Sequence, residues 1–104
     1  MKEIVKLLHE SIKNQNYDMI PTVKNRESRR KYGLTLIEIE SFLKTIQEKD
    51  LFKGPEIDRD FPNDEIFIFK KRIIKGVNFY IKVKKDTTVS YDRIKILSCH
   101  EDEN

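Results

Sequence analysis

Residues 65–85 read EIFIFKKRIIKGVNFYIKVKK and carry seven Lys or Arg against a single acid, Glu65. Apolar and polar positions alternate with period two: Phe79, Ile81 and Val83 fall on one side of an extended chain, and Tyr80, Lys82 and Lys84 on the other. Lys75-Gly76 interrupts the run where a hairpin can turn, because glycine reaches positive φ without a Cβ clash. The stretch predicts two strands, 65–74 and 77–84, with a third over Arg93 to Cys99. One sheet face is then a core face, and the other is a surface of cations and aromatics suited to an anionic partner.

Upstream, Ile4, Leu7, Leu8 and Ile12 recur at helical spacing and predict an amphipathic helix that breaks at Asn14 to Asn16. Tyr17 to Val23 reads as a short extended piece, and Pro21 within it fits a sheet edge and not an interior. Asn25 is the expected cap of a brief basic helix, Arg26 to Tyr32, ended by Gly33. Thr35 and Glu38 have the spacing of a capping box, and behind them Ile39, Phe42, Leu43 and Ile46 form an apolar stripe. Phe52 to Asp64, with Gly54, Pro55 and Pro62, reads as an irregular segment and the expected functional loop. The predicted fold class is α+β, with N-terminal helices packed on one face of a small antiparallel sheet in a single domain over residues 1–104.

With 104 residues, 38% of them hydrophobic, the chain can build one modest core and not two. The net charge of +3 says little about partners, so the distribution of charge matters more. Lys24 to Lys31 holds five cations and one anion, the strand region holds seven more cations, and Glu101-Asp102-Glu103 places three anions at the other extreme. That segregation suits electrostatic steering of a polyanion, although a solvated surface of mixed sign produces similar runs. A lone Cys99 excludes an internal disulfide, and together with an N-terminus unlike a signal peptide it sets the expectation of a cytoplasmic protein with no membrane partner.

Sharper chemistries find little support. Cys99 with His9 and His100 does not make a structural zinc set, and no cluster of glycines offers a phosphate loop, so no cofactor is expected. The acids Glu56, Asp58, Asp60, Asp64 and Glu65 invite a metal-nuclease reading, but the lysine-bearing strand Tyr80-Ile81-Lys82 lacks the acid such a site needs. Cys99, in a β-rich segment, reads as a small buried apolar residue.

Five pieces in order carry a resemblance: Phe52-Lys53-Gly54-Pro55-Glu56-Ile57-Asp58, the strand Ile66 to Phe69, Gly76, Phe79-Tyr80-Ile81-Lys82 and Leu97-Ser98-Cys99-His100-Glu101. Together with Lys31-Tyr32-Gly33-Leu34-Thr35 they make the chain from Arg30 to Glu101 resemble the MqsR family, the toxin components of type II toxin-antitoxin pairs. The resemblance implies a RelE-like fold, endoribonuclease action on mRNA and restraint by a cognate antitoxin protein. It places the family's catalytic lysine on Lys53, its strand tyrosine on Tyr80 and its final basic residue on His100. The chain departs from the family at Ile66-Phe67-Ile68, where some members carry glutamine, and at Cys99, where many carry an aromatic; both departures bear on cleavage preference.

Elementary chemistry agrees with that implication. Metal-independent RNA cleavage needs a base for the 2′-hydroxyl proton, cations for the phosphoryl oxygens and an acid for the leaving 5′-oxygen. His100 has the only side-chain type that titrates near neutrality unperturbed, and is the expected acid or base. Lys53, with Lys82 or Arg72, would meet the phosphate, and Tyr80 would stack on a base or share proton transfer. Lys70, Lys71, Arg72, Lys82 and Lys84 are the expected RNA-binding residues. The competing reading is a non-catalytic RNA-binding or protein-interaction module using the same basic sheet. The toxin reading is compatible with association with the ribosome.

Overall fold

The computed structural model describes residues 3–74, 76–86 and 93–102. The strand-forming stretch folds as expected into Glu65–Ile74 (β3) and Val77–Asp86 (β4), followed by Arg93–Glu101 (β5). β3, β4 and β5 are consecutive antiparallel neighbours. The hairpin closes with Ile74 opposite Val77 and Gly76 at positive φ, and Lys75 lies outside the described residues.

Two further strands complete the sheet. Tyr17–Met19 (β1) lies parallel to β5, with Tyr17 opposite Ile94 and Met19 opposite Ile96. Leu51–Ile57 (β2) is antiparallel to β3 on the other side. The result is a five-stranded mixed sheet in the order β1-β5-β4-β3-β2, not an antiparallel meander of three. The expectation of an irregular Phe52–Asp64 segment is thereby corrected: its first half is an edge strand, and only residues 58–64 form a loop. Propensity hid this strand, because Gly54 and Pro55 are poor strand formers. Here Gly54 is needed: its φ is 122°, and a Cβ would stand 2.7 Å from the Ile66 carbonyl.

Three helices complete the α+β domain: Glu3–Lys13 (α1), Val23–Tyr32 (α2) and Leu36–Leu43 (α3). α1 and α3 cover one face of the sheet, and Val5, Leu8, Ile39 and Leu43 bury against Phe69, Phe79, Ile81 and Val83. Full burial of a side chain such as Phe79 contributes roughly 1.5–3 kcal/mol. Thr35 caps α3 with Glu38 in the reciprocal box that the sequence predicts. Ile46 lies beyond the helix end yet is buried in the same core.

α2 departs from expectation at its start. Thr22 is the cap, its oxygen accepting from the Asn25 N–H, while Gly33 ends the helix at φ 62° as predicted. Asn25 is instead a buried residue inside the helix. β1 covers the β5 edge only to Ile96, and beyond it Asn25 and Ser28 act in place of a strand. The Cys99 N–H donates to Asn25 Oδ1 at 2.8 Å, Asn25 Nδ2 donates to the Leu97 carbonyl at 3.4 Å, and the Glu101 N–H donates to Ser28 Oγ at 2.9 Å. A helix poor in apolar residues is thus docked by satisfying backbone groups that would otherwise be buried without partners. No helix among the described residues is long and apolar enough to cross a membrane.

Candidate nucleic-acid interface

The pleat decides which cations share a surface. Facing away from α1 and α3, β3 presents Lys70 and Arg72, β4 presents Tyr80, Lys82 and Lys84, and β5 presents Ser98 and His100. A straight cross-strand row runs from Lys70 to Tyr80 to His100, and the next row from Lys53 to Ile68 to Lys82 to Ser98. Ile68 is buried on this open face, where the aliphatic stems of Lys53 and Lys82 flank it on either side.

Tyr80 and His100 are stacked, with ring centroids 5.5 Å apart and planes at 16°. His100 Nδ1 lies 2.9 Å from the Glu101 carbonyl oxygen. A carbonyl only accepts, so Nδ1 carries a proton and donates, and Nε2 is the ring nitrogen positioned to act as a proton acceptor. Glu101 is itself fixed: Lys31 Nζ donates to one carboxylate oxygen at 2.9 Å and the Tyr32 hydroxyl to the other at 2.7 Å. Those two donors hold the Glu101 carboxyl below the usual glutamate range, Lys31 contributing most. On the α2 side, His100 lines a small cavity of about 170 Å³ with Lys24, Ser28 and Lys31.

The expected RNA-binding residues divide. Lys82 has no ion-pair partner among the described residues, and the same holds for exposed Arg72. Lys70 is held beside Tyr80 by Asp102 at 3.2 Å and by the ring of Phe52, 4.0 Å below its ammonium. Lys71 is not on this surface. It alternates to the helix side, where its ammonium meets the Thr45 carbonyl at 2.7 Å and Asp50 at 3.3 Å. Lys84 is on the open face but buried, paired with Asp58 at 2.8 Å and Asp64 at 3.0 Å and capped by the ring of Phe61 at 4.2 Å. Burial alone would lower the Lys84 ammonium, but the two carboxylates outweigh it and hold it above the usual lysine range. The acids of loop 58–64 thus clamp a lysine, and among the described residues no three His, Cys, Asp or Glu side chains converge to hold a metal.

Of the three catalytic candidates, Tyr80 and His100 come together and Lys53 stands apart. Lys53 is exposed on β2, three strands from β5 and so about 14 Å away at ordinary strand spacing. Its ammonium meets Glu56 at 3.2 Å. Phe52, the platform for Lys70, is a site residue that the sequence marks only as an aromatic beside Lys53 in the quoted motif. Cys99 is buried as expected, and burial pushes its thiol up to about 12, which removes it as a nucleophile. No protein-family model, curated protein or solved structure matches the chain.

Proposed function

We propose that the protein is a metal-independent endoribonuclease of the RelE-like, MqsR type, a toxin that cuts mRNA and is neutralised by a cognate antitoxin. The observation that carries this reading is the Tyr80–His100 stack on an open sheet face beside Lys82, which has no ion-pair partner among the described residues. In this reading His100 Nε2 takes the proton of a ribose 2′-hydroxyl, and the freed O2′ attacks the adjacent phosphorus. Lys82 stabilises the charge gathering on the phosphoryl oxygens. The P–O5′ bond breaks, and the leaving oxygen takes a proton from the Tyr80 hydroxyl. The products are a 2′,3′-cyclic phosphate and a 5′-hydroxyl. Lys53 and Lys70 would hold neighbouring phosphates, since the sheet places Lys53 too far from His100 to share one phosphate with it.

The reading routes no step through a metal, and carboxylates on and beside the face are engaged by lysines: Glu56 by Lys53, Asp102 by Lys70, and Asp58 and Asp64 by Lys84. Purified protein is expected to cut single-stranded RNA in excess chelator and to spare DNA, which lacks the attacking hydroxyl. A strict magnesium requirement would overturn it. RNA binding without any cleavage would instead favour the second reading, a non-catalytic RNA-binding sheet on which Tyr80 and His100 only stack on bases, as directly opposed aromatic pairs do in many sheets.

A further inference from the structure

β2 leaves β3 early. Leu51 opposite Phe69 is the first pair of the two strands, because the chain before it rises through the 3-10 turn Glu48–Asp50 toward the helices. β3 runs on to Ile74, paired with β4 on its other side. Lys70 to Ile74 therefore have a strand on one side only, and among the described residues no backbone hydrogen bond from a helix or loop reaches them. Such an edge offers N–H and C=O groups at the spacing another strand would match.

Beside this edge, on the helix side, a groove of about 510 Å³ opens between α3 and β3. Its apolar lining is Leu34, Ile37, Phe42, Ile73 and Ile74, and Ile37 is 74% exposed although it lies on a helix that packs the core. Its one carboxylate, Glu38, is turned back onto Thr35 by the capping box, whereas Arg72 on the rim has no ion-pair partner among the described residues. A second copy is a poor occupant. Two β3 edges paired about a two-fold axis would set Lys70, Lys71 and Arg72 against the same three cations.

We propose that the β3 edge at Lys70–Arg72 and the α3 groove form a docking site for an extended segment of another protein in which apolar and acidic residues alternate. Pairing by backbone fixes the period. Alternate side chains then enter the groove against Ile37, Phe42 and Ile73, and the others emerge on the open face beside Arg72. The register shift after Arg72 ends the ladder, so the backbone pairing is short and the groove selects the partner.

The test uses the full chain, labelled for NMR and titrated with a capped heptapeptide of alternating valine and glutamate. Slowed amide exchange confined to Lys70–Arg72 is expected, with affinity at least tenfold weaker in Ile37→Asp and in Arg72→Glu. Both positions are exposed, and unchanged spectra elsewhere check that each variant folds. Absence of protection at millimolar peptide, equal binding of the lysine-for-glutamate peptide, or affinity unmoved in both variants would overturn the proposal. So would the same protection arising from self-association or from an RNA oligonucleotide. Ile37 lies on the helix side, away from Tyr80 and His100, so this proposal and the cleavage reading fail separately.

Discussion

Lys82 and Lys84 project from the same face of β4, separated by one residue, and meet opposite fates. Lys84 is buried under Phe61 between Asp58 and Asp64, while Lys82 lies between Ile68 and Ser98 with no ion-pair partner among the described residues. The difference comes from what covers each end of the sheet. Loop 58–64 folds back over the Lys84 end and neutralises it. Among the described residues no such loop folds over the Tyr80 end: Lys70 meets Asp102 there, and Lys82 keeps no carboxylate partner. Identical residue types in one alternating run therefore do structural work at one end and leave a candidate polyanion surface at the other.

The strongest way to sharpen this contrast is to remove the proposed base from the open end. His100→Ala is expected to lower RNA cleavage by about a hundredfold or more while thermal stability and RNA affinity stay nearly constant. Equal loss of activity and stability would return His100 to a structural role. In cells, the unsubstituted chain is expected to arrest growth without its antitoxin, and the His100→Ala chain to be tolerated at equal abundance.

The next test exchanges the two lysines' fates. Lys84→Ala leaves Asp58 and Asp64 facing each other under Phe61, and is expected to cost about 3 kcal/mol in chemical denaturation. Lys82→Ala, at a half-exposed site, should stay within about 0.5 kcal/mol of the parent. For RNA affinity the order reverses: Lys82→Ala weakens binding severalfold and lowers the salt slope by about 0.7, the value for one phosphate contact on a single strand. If both substitutions cost stability alike, or neither changes the salt slope, the contrast is lost.

How much of this was legible in the sequence follows from which interactions are local. Alternation in 77–84 disclosed the two faces of β4, and Thr35 with Glu38 disclosed the start of α3, because both are short-range patterns. β2 was missed, since its strand character comes from pairing with β3 and its own Gly54 and Pro55 argue against it. Asn25 has the residue type of a cap but serves as a surrogate strand partner, accepting from the Cys99 N–H. The available signal was a stripe of Asn25, Ser28 and Tyr32 at helical spacing, which marks a buried face but not the backbone it serves. Lys71 and Lys84 read like the working cations in sequence because adjacency does not say which side a strand residue faces or which loop returns over it. The pairing of Tyr80 with His100 depends on register across the β4–β5 connection, so the sequence marks each ring by its chemistry without bringing the two together.

A smaller effect separates the two ends in acid. The ammonium of Lys84, followed by the Asp60 N–H, holds the Asp58 carboxyl below the usual aspartate range. A carboxyl depressed in the folded state adds stability that is complete above its unfolded value, near pH 4, and is lost as pH falls through the lower folded value. Amide exchange in loop 58–64 is therefore expected to accelerate below about pH 4 before the core strands open. Exchange in the loop that stays constant while the core loosens would mean the Lys84 clamp does not hold it.

In the proposed reading RNA is expected to lie across the Tyr80 end of the open face and nowhere else on the sheet. Titration of the labelled protein with a single-stranded RNA carrying 2′-O-methyl groups, which cannot be cut, tests this directly by NMR. The account predicts shifts concentrated at Lys53, Lys70, Tyr80, Lys82, Ser98 and His100, with Lys71, Lys84, Asp58 and Asp64 unmoved. Shifts centred on α1 and α3, or on the Lys84 clamp, would contradict it.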